Sequence, residues 1–189
     1  MKVALAQLNF HVGNFESNFE KIESEVKKAI SENADIVVFP ELAVTGYPPR
    51  DFLEFDSFID QCESTLDQIK DLSQDIGIIV GAPRRNPGKG KSLFNAAFFF
   101  YQKETLHIQD KFLLPTYDIF DEVRYFEAAQ KFETVSFKGQ NIAITICEDI
   151  WNLGDHAIYQ ESPLDFYDSF DCVINIAASP FSFKQLERR

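Results

Sequence analysis

Basic residues are scarce in this sequence. Eighteen Lys and Arg stand against 30 Asp and Glu, leaving a formal charge of −12. Without a basic excess the chain has nothing to neutralise phosphates with, which excludes a nucleic-acid partner. An anionic membrane surface is excluded on the same ground. Long apolar runs are missing too. Met1-Lys2 is followed by six strand-like residues that include Gln7, too few for the core of a signal peptide. No stretch approaches the roughly 20 residues of a membrane span. Cysteine is limited to Cys62, Cys147 and Cys172, an odd number with no CxxC pair. A disulfide scaffold and a zinc ribbon are thereby excluded, no metal site is expected, and a reducing cytoplasm is the default compartment. Internal repeats and low-complexity segments are absent.

What is present suits one domain. A chain of 189 residues, 45 % hydrophobic and 25 % charged, can bury a sizeable core. Twenty Phe against one Met and one Trp make that core phenylalanine-rich. Lys2 to Leu8 reads as a strand, and His11 to Asn14 as a loop. A helix follows with Phe19, Ile22, Val26, Ala29 and Ile30 at helical spacing. It begins at Asn14 or at a Ser17/Glu20 capping box. Asp35 to Phe39 is a short apolar strand that runs into Pro40-Glu41. A second helix carries Ile59, Cys62, Leu66 and Ile69 on one stripe, which makes Cys62 a core residue. Ile78 to Val80, Leu93 to Tyr101 and Leu106 to Lys111 are strands, the last two joined by a tight turn at Gln102-Lys103-Glu104. Phe132 to Phe137 and Asn141 to Ile146 form another hairpin. Asp171 to Ala177 reads as a central strand by its apolar run, with Cys172 in the core. Strand–helix units at the start and hairpins in the middle predict a mixed sheet, or two stacked sheets with helices outside.

The stretch Gln140 to Asp149 invites a functional reading. Ile142, Ile144 and Ile146 alternate with smaller residues, and the strand stops on Cys147-Glu148-Asp149. Reactive groups concentrate where a rigid strand gives way to a loop. The plain alternative is a small apolar residue ending a strand. Gly88-Lys89-Gly90-Lys91-Ser92 imitates a phosphate loop. Arg85 stands where the motif needs Gly, and a strand follows instead of a helix, so we read a solvated hairpin loop. A cysteine nucleophile also needs a base and an oxyanion donor. His11 and His156 lie in expected loops and His107 in a strand, none with a motif around it. Glu41, Lys111 and Cys147 form a more coherent set, each at the end of an apolar strand. Strand ends on one edge of a sheet can converge, and these three would supply a base, a cation and a nucleophile. Taken singly, Glu41 and Lys111 also read as surface charges.

The surroundings of the three residues carry a resemblance. Val38-Phe39-Pro40-Glu41-Leu42 with Thr45-Gly46-Tyr47, Lys111-Phe112-Leu113-Leu114-Pro115, and Ile146-Cys147-Glu148-Asp149-Ile150-Trp151 occur in that order. Together they resemble the nitrilase superfamily of carbon–nitrogen hydrolases, whose triad is Glu, Lys and Cys. Glu41 to Leu53 and Lys111 to Phe126 are similar to the glutaminase domains of glutamine-dependent NAD synthetases.

The resemblance implies an α/β fold. It is an α-β-β-α four-layer sandwich of two stacked six-stranded sheets with helices on the outer faces, truncated here at the C-terminus. It implies hydrolysis of the glutamine side-chain amide, with Cys147 as nucleophile, Glu41 as base and Lys111 as oxyanion donor. Lys111 would also lower the pKa of the thiol. The backbone N–H of Glu148, Tyr117 and Ser179 are implied substrate contacts. Lys184 or Gln185 stands where the family carries a further basic contact. Glu122 and Glu148 can position Lys111 or water, although Glu122 reads better as an ordinary solvated acid. No cofactor is implied for residues 1–189. ATP and magnesium belong to a synthetase domain absent from this sequence, which the ammonia would feed. That domain, glutamine and further copies of this chain are the expected partners. Two other readings stay open: a stand-alone amidase acting on another small amide or carbamoyl compound, and a non-catalytic interaction domain.

Overall fold

The structure, a computed structural model, describes residues 1–152 and 159–179. Side-chain alternation in the middle of the chain decides its layering. Strands β3 (Gly77–Arg85) and β4 (Leu93–Tyr101) pair antiparallel, with Ile78 opposite Phe100 and Val80 opposite Phe98. Successive side chains point to opposite faces of a strand. Ile78, Val80, Ala96, Phe98 and Phe100 therefore share one face, and Ile79, Ala97 and Phe99 the other. Both faces are apolar, so the sheet needs cover on both sides.

Helices cover the first face. Helix α1 (Phe15–Ser31) contributes Phe15, Ile22, Val26 and Ala29, and α2 (Asp56–Asp71) contributes Ile59, Cys62, Leu66 and Ile69. Asn14 is the cap of α1, its side chain accepting from the Ser17 N–H at 3.2 Å. Strands β1 (Val3–Leu5) and β2 (Ile36–Val38) run parallel to β3, and β5 (Glu104–Asp110) returns antiparallel to β4. The sheet order is β1-β2-β3-β4-β5. Gln102 and Lys103, both at positive φ, make the β4–β5 turn, a geometry that matches the strand twist.

A second sheet covers the other face. It consists of β6 (Val135–Phe137), β7 (Gln140–Ile146) and β8 (Cys172–Ile176), in that order, with β6 antiparallel and β8 parallel to β7. Ile142, Ile144, Ile146 and Ile176 pack onto Ile36, Val38, Ile79 and Phe99. The layers among the described residues are thus helix, sheet, sheet, with five and three strands in place of six and six.

The last strand is apolar on the face that meets the first sheet. β8 pairs only with β7 among the described residues and lies at the sheet edge. It reads as central because Cys172, Ile174 and Ile176 all face the first sheet, whereas Val173 is 36 % exposed. Cys172 itself is only half-buried. The Gly88 to Ser92 stretch is an exposed loop between β3 and β4, as read. Among the described residues, no helix is long and apolar enough to cross a membrane. The ends of β2, β5, β7 and β8 open on one edge of the sandwich, where Glu41, Lys111, Cys147 and Ser179 follow them.

Candidate active site

Glu41 follows β2 after a tight step. The Phe39 N–H still donates to Ile79 at 2.8 Å, and the Gly81 N–H then donates to Pro40 at 3.3 Å. Gly81 lets the two chains meet this closely. A Cβ there would stand 2.7 Å from Glu41 Cα and 2.4 Å from the Leu42 nitrogen. Leu42 turns the chain away at φ 49°. Lys111 is the first residue past β5, held by its N–H to the Asn95 carbonyl at 2.8 Å. Cys147 is the first residue past β7 and also sits at φ 49°, in the left-handed region. Such a conformation persists only where the surroundings hold it, and it aims the thiol away from the ladder.

The structure brings the three strand ends together. Lys111 is fully buried, and its Nζ donates to Glu41 Oε1 at 2.7 Å. It donates equally to Glu122, at 2.9 Å to Oε1 and 2.8 Å to Oε2. Glu122 opens a short helix, α3 (Glu122–Tyr125), and is only 6 % exposed. The solvated acid read from the sequence is therefore corrected: Glu122 is a buried partner of the lysine. Tyr47 Oη also donates to it, at 3.1 Å. Asn95, 0 % exposed, donates through Nδ2 to Glu41 Oε1 at 2.8 Å and to Glu122 Oε2 at 3.4 Å. Across the sheets, the Ala178 N–H donates to Glu41 Oε2 at 3.0 Å. Ser179 Oγ stands 3.7 Å from Cys147 Sγ.

The charges in this cluster are strongly coupled. Burial works against the Lys111 ammonium, yet Glu41 and Glu122 hold its pKa well above the ordinary lysine value. Burial raises Glu122, and the nearby Glu41 adds to that, against the pull of Lys111. Burial also pushes the Cys147 thiol up, to about 12; Glu41 raises it further, while Lys111 and the Ser179 hydroxyl pull it down. Lys111 thus acts in the expected direction, and burial together with Glu41 outweighs it. A thiol raised in this way calls for a base to take its proton during attack. Asp149, 2 % exposed, accepts from the Phe112, Leu113 and Ile146 N–H groups. Burial raises its carboxyl to about 7 against the pull of those bonds.

Glu148 makes a second centre beside the thiol. It is 2 % exposed, and Tyr117 Oη donates to both its carboxylate oxygens at 3.0 Å. Tyr159 Oη donates to it as well. Asn152 anchors Tyr159, donating to its carbonyl and accepting from its N–H, each at 2.9 Å. A cavity of about 640 Å³ opens onto Glu41, Tyr47, Ala178 and Ser179. A smaller one of about 200 Å³, also lined by Leu42 and Tyr47, reaches Glu122.

Some sequence candidates fall elsewhere. Lys184, Gln185 and His156 lie outside the described residues. His11 is exposed, and His107 lies within β5. Cys62 is buried in the helix-side core, where burial raises its thiol far beyond the usual range. Among the described residues, no group of three or more His, Cys, Asp and Glu is arranged to hold a metal ion. Asn95 and the bonds of Asp149 were missed. Asn95 leaves a signal in the sequence, since it is the polar member of the Asn95-Ala97-Phe99 series that otherwise faces the second sheet. The other contacts are tertiary and leave none.

Comparison with known proteins places the chain in a family. Residues 2–159 match the carbon–nitrogen hydrolase family. The chain is 40 % identical over 190 residues to a glutamine-dependent NAD(+) synthetase of Synechocystis sp., covering 95 % of this chain and 34 % of that protein. Identity to the protein of that name from Aquifex aeolicus is 35 %, covering 98 % of this chain and 32 % of the relative. The chain thus spans about a third of the length of the curated relatives it matches. Among solved structures, the glutamine-dependent NAD+ synthetase of Acinetobacter baumannii superposes with a TM-score of 0.85 at 31 % identity, over 98 % of this chain and 34 % of that one. An amidase from Nesterenkonia sp. gives a TM-score of 0.80 at 18 % identity, over 98 % of this chain and 68 % of that one, which is a likeness of fold alone.

Proposed function

The chain belongs to the carbon–nitrogen hydrolase family, and from that premise we propose that it is the glutamine-hydrolysing part of a glutamine-dependent NAD synthetase. Residues 1–189 would cleave the side-chain amide of glutamine to glutamate and ammonia. The ammonia would feed ATP-dependent amidation of nicotinic acid adenine dinucleotide in a synthetase domain outside this sequence, where ATP and magnesium would bind. The compartment is the cytoplasm, and the protein works as a homo-oligomer.

The observation that carries the reading is the buried Lys111 ammonium bonded to Glu41 beside the Cys147 thiol. An amide is a poor electrophile with a poor leaving group, and each member answers one of its demands. Cys147 Sγ attacks the carboxamide carbon while Glu41 takes the thiol proton. The electron pair of the C=O bond moves to oxygen. Lys111 and the Glu148 N–H then donate to that oxyanion, and losing one such donor typically costs about 10²–10³ in rate. Collapse breaks the C–N bond, the proton held by Glu41 leaves with ammonia, and an S-acyl thioester remains. Glu41 then takes a proton from water as the water oxygen attacks the thioester carbon; collapse breaks the C–S bond, glutamate leaves, and the proton on Glu41 returns to the Cys147 sulfur.

Glutamine rather than a simple amide is supported by Glu148. Its carboxylate lies beside the nucleophile and receives only tyrosine hydroxyls among the described residues. An α-ammonium group is the ligand chemistry that such an acid attracts. Tyr117 and Ser179 are the further contacts we assign, with Lys184 or Gln185 as a third. The test is glutamate release from glutamine, set beside ammonia release from acetamide and a carbamoyl compound. Glutamine is expected to be preferred by orders of magnitude, and preference should collapse in Glu148→Gln. Equal turnover of the simple amides would replace this reading with a stand-alone amidase.

A further inference from the structure

The residues assigned to catalysis are divided between two sheets. Glu41 and Lys111 leave the five-stranded sheet, and Cys147 leaves the three-stranded one. Hydrogen-bond ladders fix spacings within each sheet. Between the sheets the contact is apolar packing of side chains such as Ile79, Phe99, Ile144 and Ile146. That force is not directional. Attack on a carbonyl requires reacting atoms about 3–3.5 Å apart and aligned. Something at the sheet ends must therefore set the separation of thiol and ammonium.

Asp149 has the bonds to do so. Its Oδ1 accepts from the N–H of Phe112 at 3.1 Å and of Leu113 at 2.8 Å, the two residues that follow Lys111. Its Oδ2 accepts from the N–H of Ile146 at 3.1 Å, the residue that precedes Cys147. One carboxylate thus ties the exit of β5 to the exit of β7. Both oxygens are engaged by backbone N–H groups, so the side chain is held from both strand exits at once. Among the described residues the Lys138–Asp35 ion pair joins the sheets at the opposite ends of their strands, at 3.0 Å, and at this end Ala178 to Glu41 and Tyr117 to Glu148 also cross, but each of these two ends on an acid that the substrate itself would meet. The left-handed backbone of Cys147 also needs support, and the Ile146 bond holds the chain just before it.

We propose that Asp149 is a positioning residue, which sets the distance and direction between the Cys147 thiol and the Lys111 ammonium by clamping the two strand exits together. The proposal rests on Cys147 being the nucleophile, and is independent of which amide is cleaved.

Asp149→Asn and Asp149→Glu, made in the whole chain, test it. Asparagine keeps the shape but turns an N–H toward one of the backbone donors. Glutamate keeps the charge but lengthens the clamp by one carbon. Thermal unfolding first establishes that the variants fold. In folded variants kcat for glutamine is expected to fall roughly 10²-fold, as for a misplacement of about 1 Å, with KM changed far less. The pH midpoint of Cys147 alkylation by iodoacetamide is expected to move in both, because the lysine no longer stands where it did. Folded variants with unchanged kcat and an unchanged alkylation midpoint would overturn the proposal. If the parent chain hydrolyses no amide, the functional reading fails by itself, and the alkylation midpoint still decides the role of Asp149. If neither variant folds, amide hydrogen exchange in the parent decides it. Phe112, Leu113 and Ile146 are expected to be protected, and rapid exchange at Leu113 and Ile146 would sink the clamp.

Discussion

At the scale of single residues, the cluster is governed by the balance of charge around Cys147. Burial and Glu41 raise the thiol, and Lys111 lowers it. Removing the Glu41 charge should therefore bring the thiol down. We expect Glu41→Gln to be alkylated by iodoacetamide at neutral pH roughly tenfold faster than the parent, for each pKa unit recovered, while glutamine hydrolysis is lost for want of a base. Alkylation that slows in this variant would contradict the assignment of Glu41. Lys111→Met should act in the opposite direction. The thiol rises, labelling slows, and two buried carboxylates lose their shared counter-ion. Breaking a buried pair of this kind costs about 3–5 kcal/mol, which a urea titration would read. Lys111→Arg should not restore turnover, because the planar guanidinium cannot occupy the place of a compact ammonium that bonds three carboxylate oxygens. Cys147→Ala should abolish hydrolysis, whereas Cys62→Ala and Cys172→Ala should leave the chemistry intact. Peptide mapping after reaction with a glutamine-mimicking electrophile would show which cysteine is modified.

At the scale of elements, the strand ends were legible and the contacts between them were not. Glu41 and Cys147 each stop an apolar run, Lys111 follows the more polar β5, and the parity of Ile142, Ile144 and Ile146 fixes which face of β7 meets the other sheet. Helices α1 and α2 follow from their periodic apolar stripes. Glu122 was read as solvated because nothing in its own neighbourhood says that Lys111 lies above it. Its burial arises from Asn95 of β4, Tyr47 and Lys111 closing in on it. The sheet neighbours of β8 were illegible for a related reason: an apolar run reports cover on its faces, and says nothing of neighbours in the sheet. Gly81 shows how an element positions a functional group without touching it. The β3 strand passes so close to the Glu41 turn that a methyl group meets backbone at 2.4 Å. Gly81→Ala should push the turn outward and misplace the carboxylate. We expect turnover to drop by about 10²-fold, with a stability loss of about 1–3 kcal/mol from overpacking. An active, fully stable Gly81→Ala protein would show that this approach is looser than the structure indicates.

At the scale of the molecule, the two sheets are unequal. Five strands lie on one side of the inter-sheet layer and, among the described residues, three on the other. The register of β1 against β2 puts Val3 opposite Ile36 and Leu5 opposite Val38, so both side chains of β1 point into the inter-sheet layer. Ile36 and Val38 are buried there, but Val3 is 36 % exposed and Leu5 75 %. β1 is also an edge strand, and β8 lies at the edge of the second sheet. An apolar face beside open strand edges favours association with other chains. We therefore expect the 189-residue chain to self-associate at micromolar concentration. Leu5→Glu places a charge on the uncovered face without approaching Glu41, Lys111 or Cys147. It should shift the chain toward monomer in sedimentation velocity while leaving the alkylation rate of Cys147 unchanged. Self-association that persists undiminished in Leu5→Glu would move the contact to another surface, and a parent chain that stays monomeric would remove the uncovered face as a source of association.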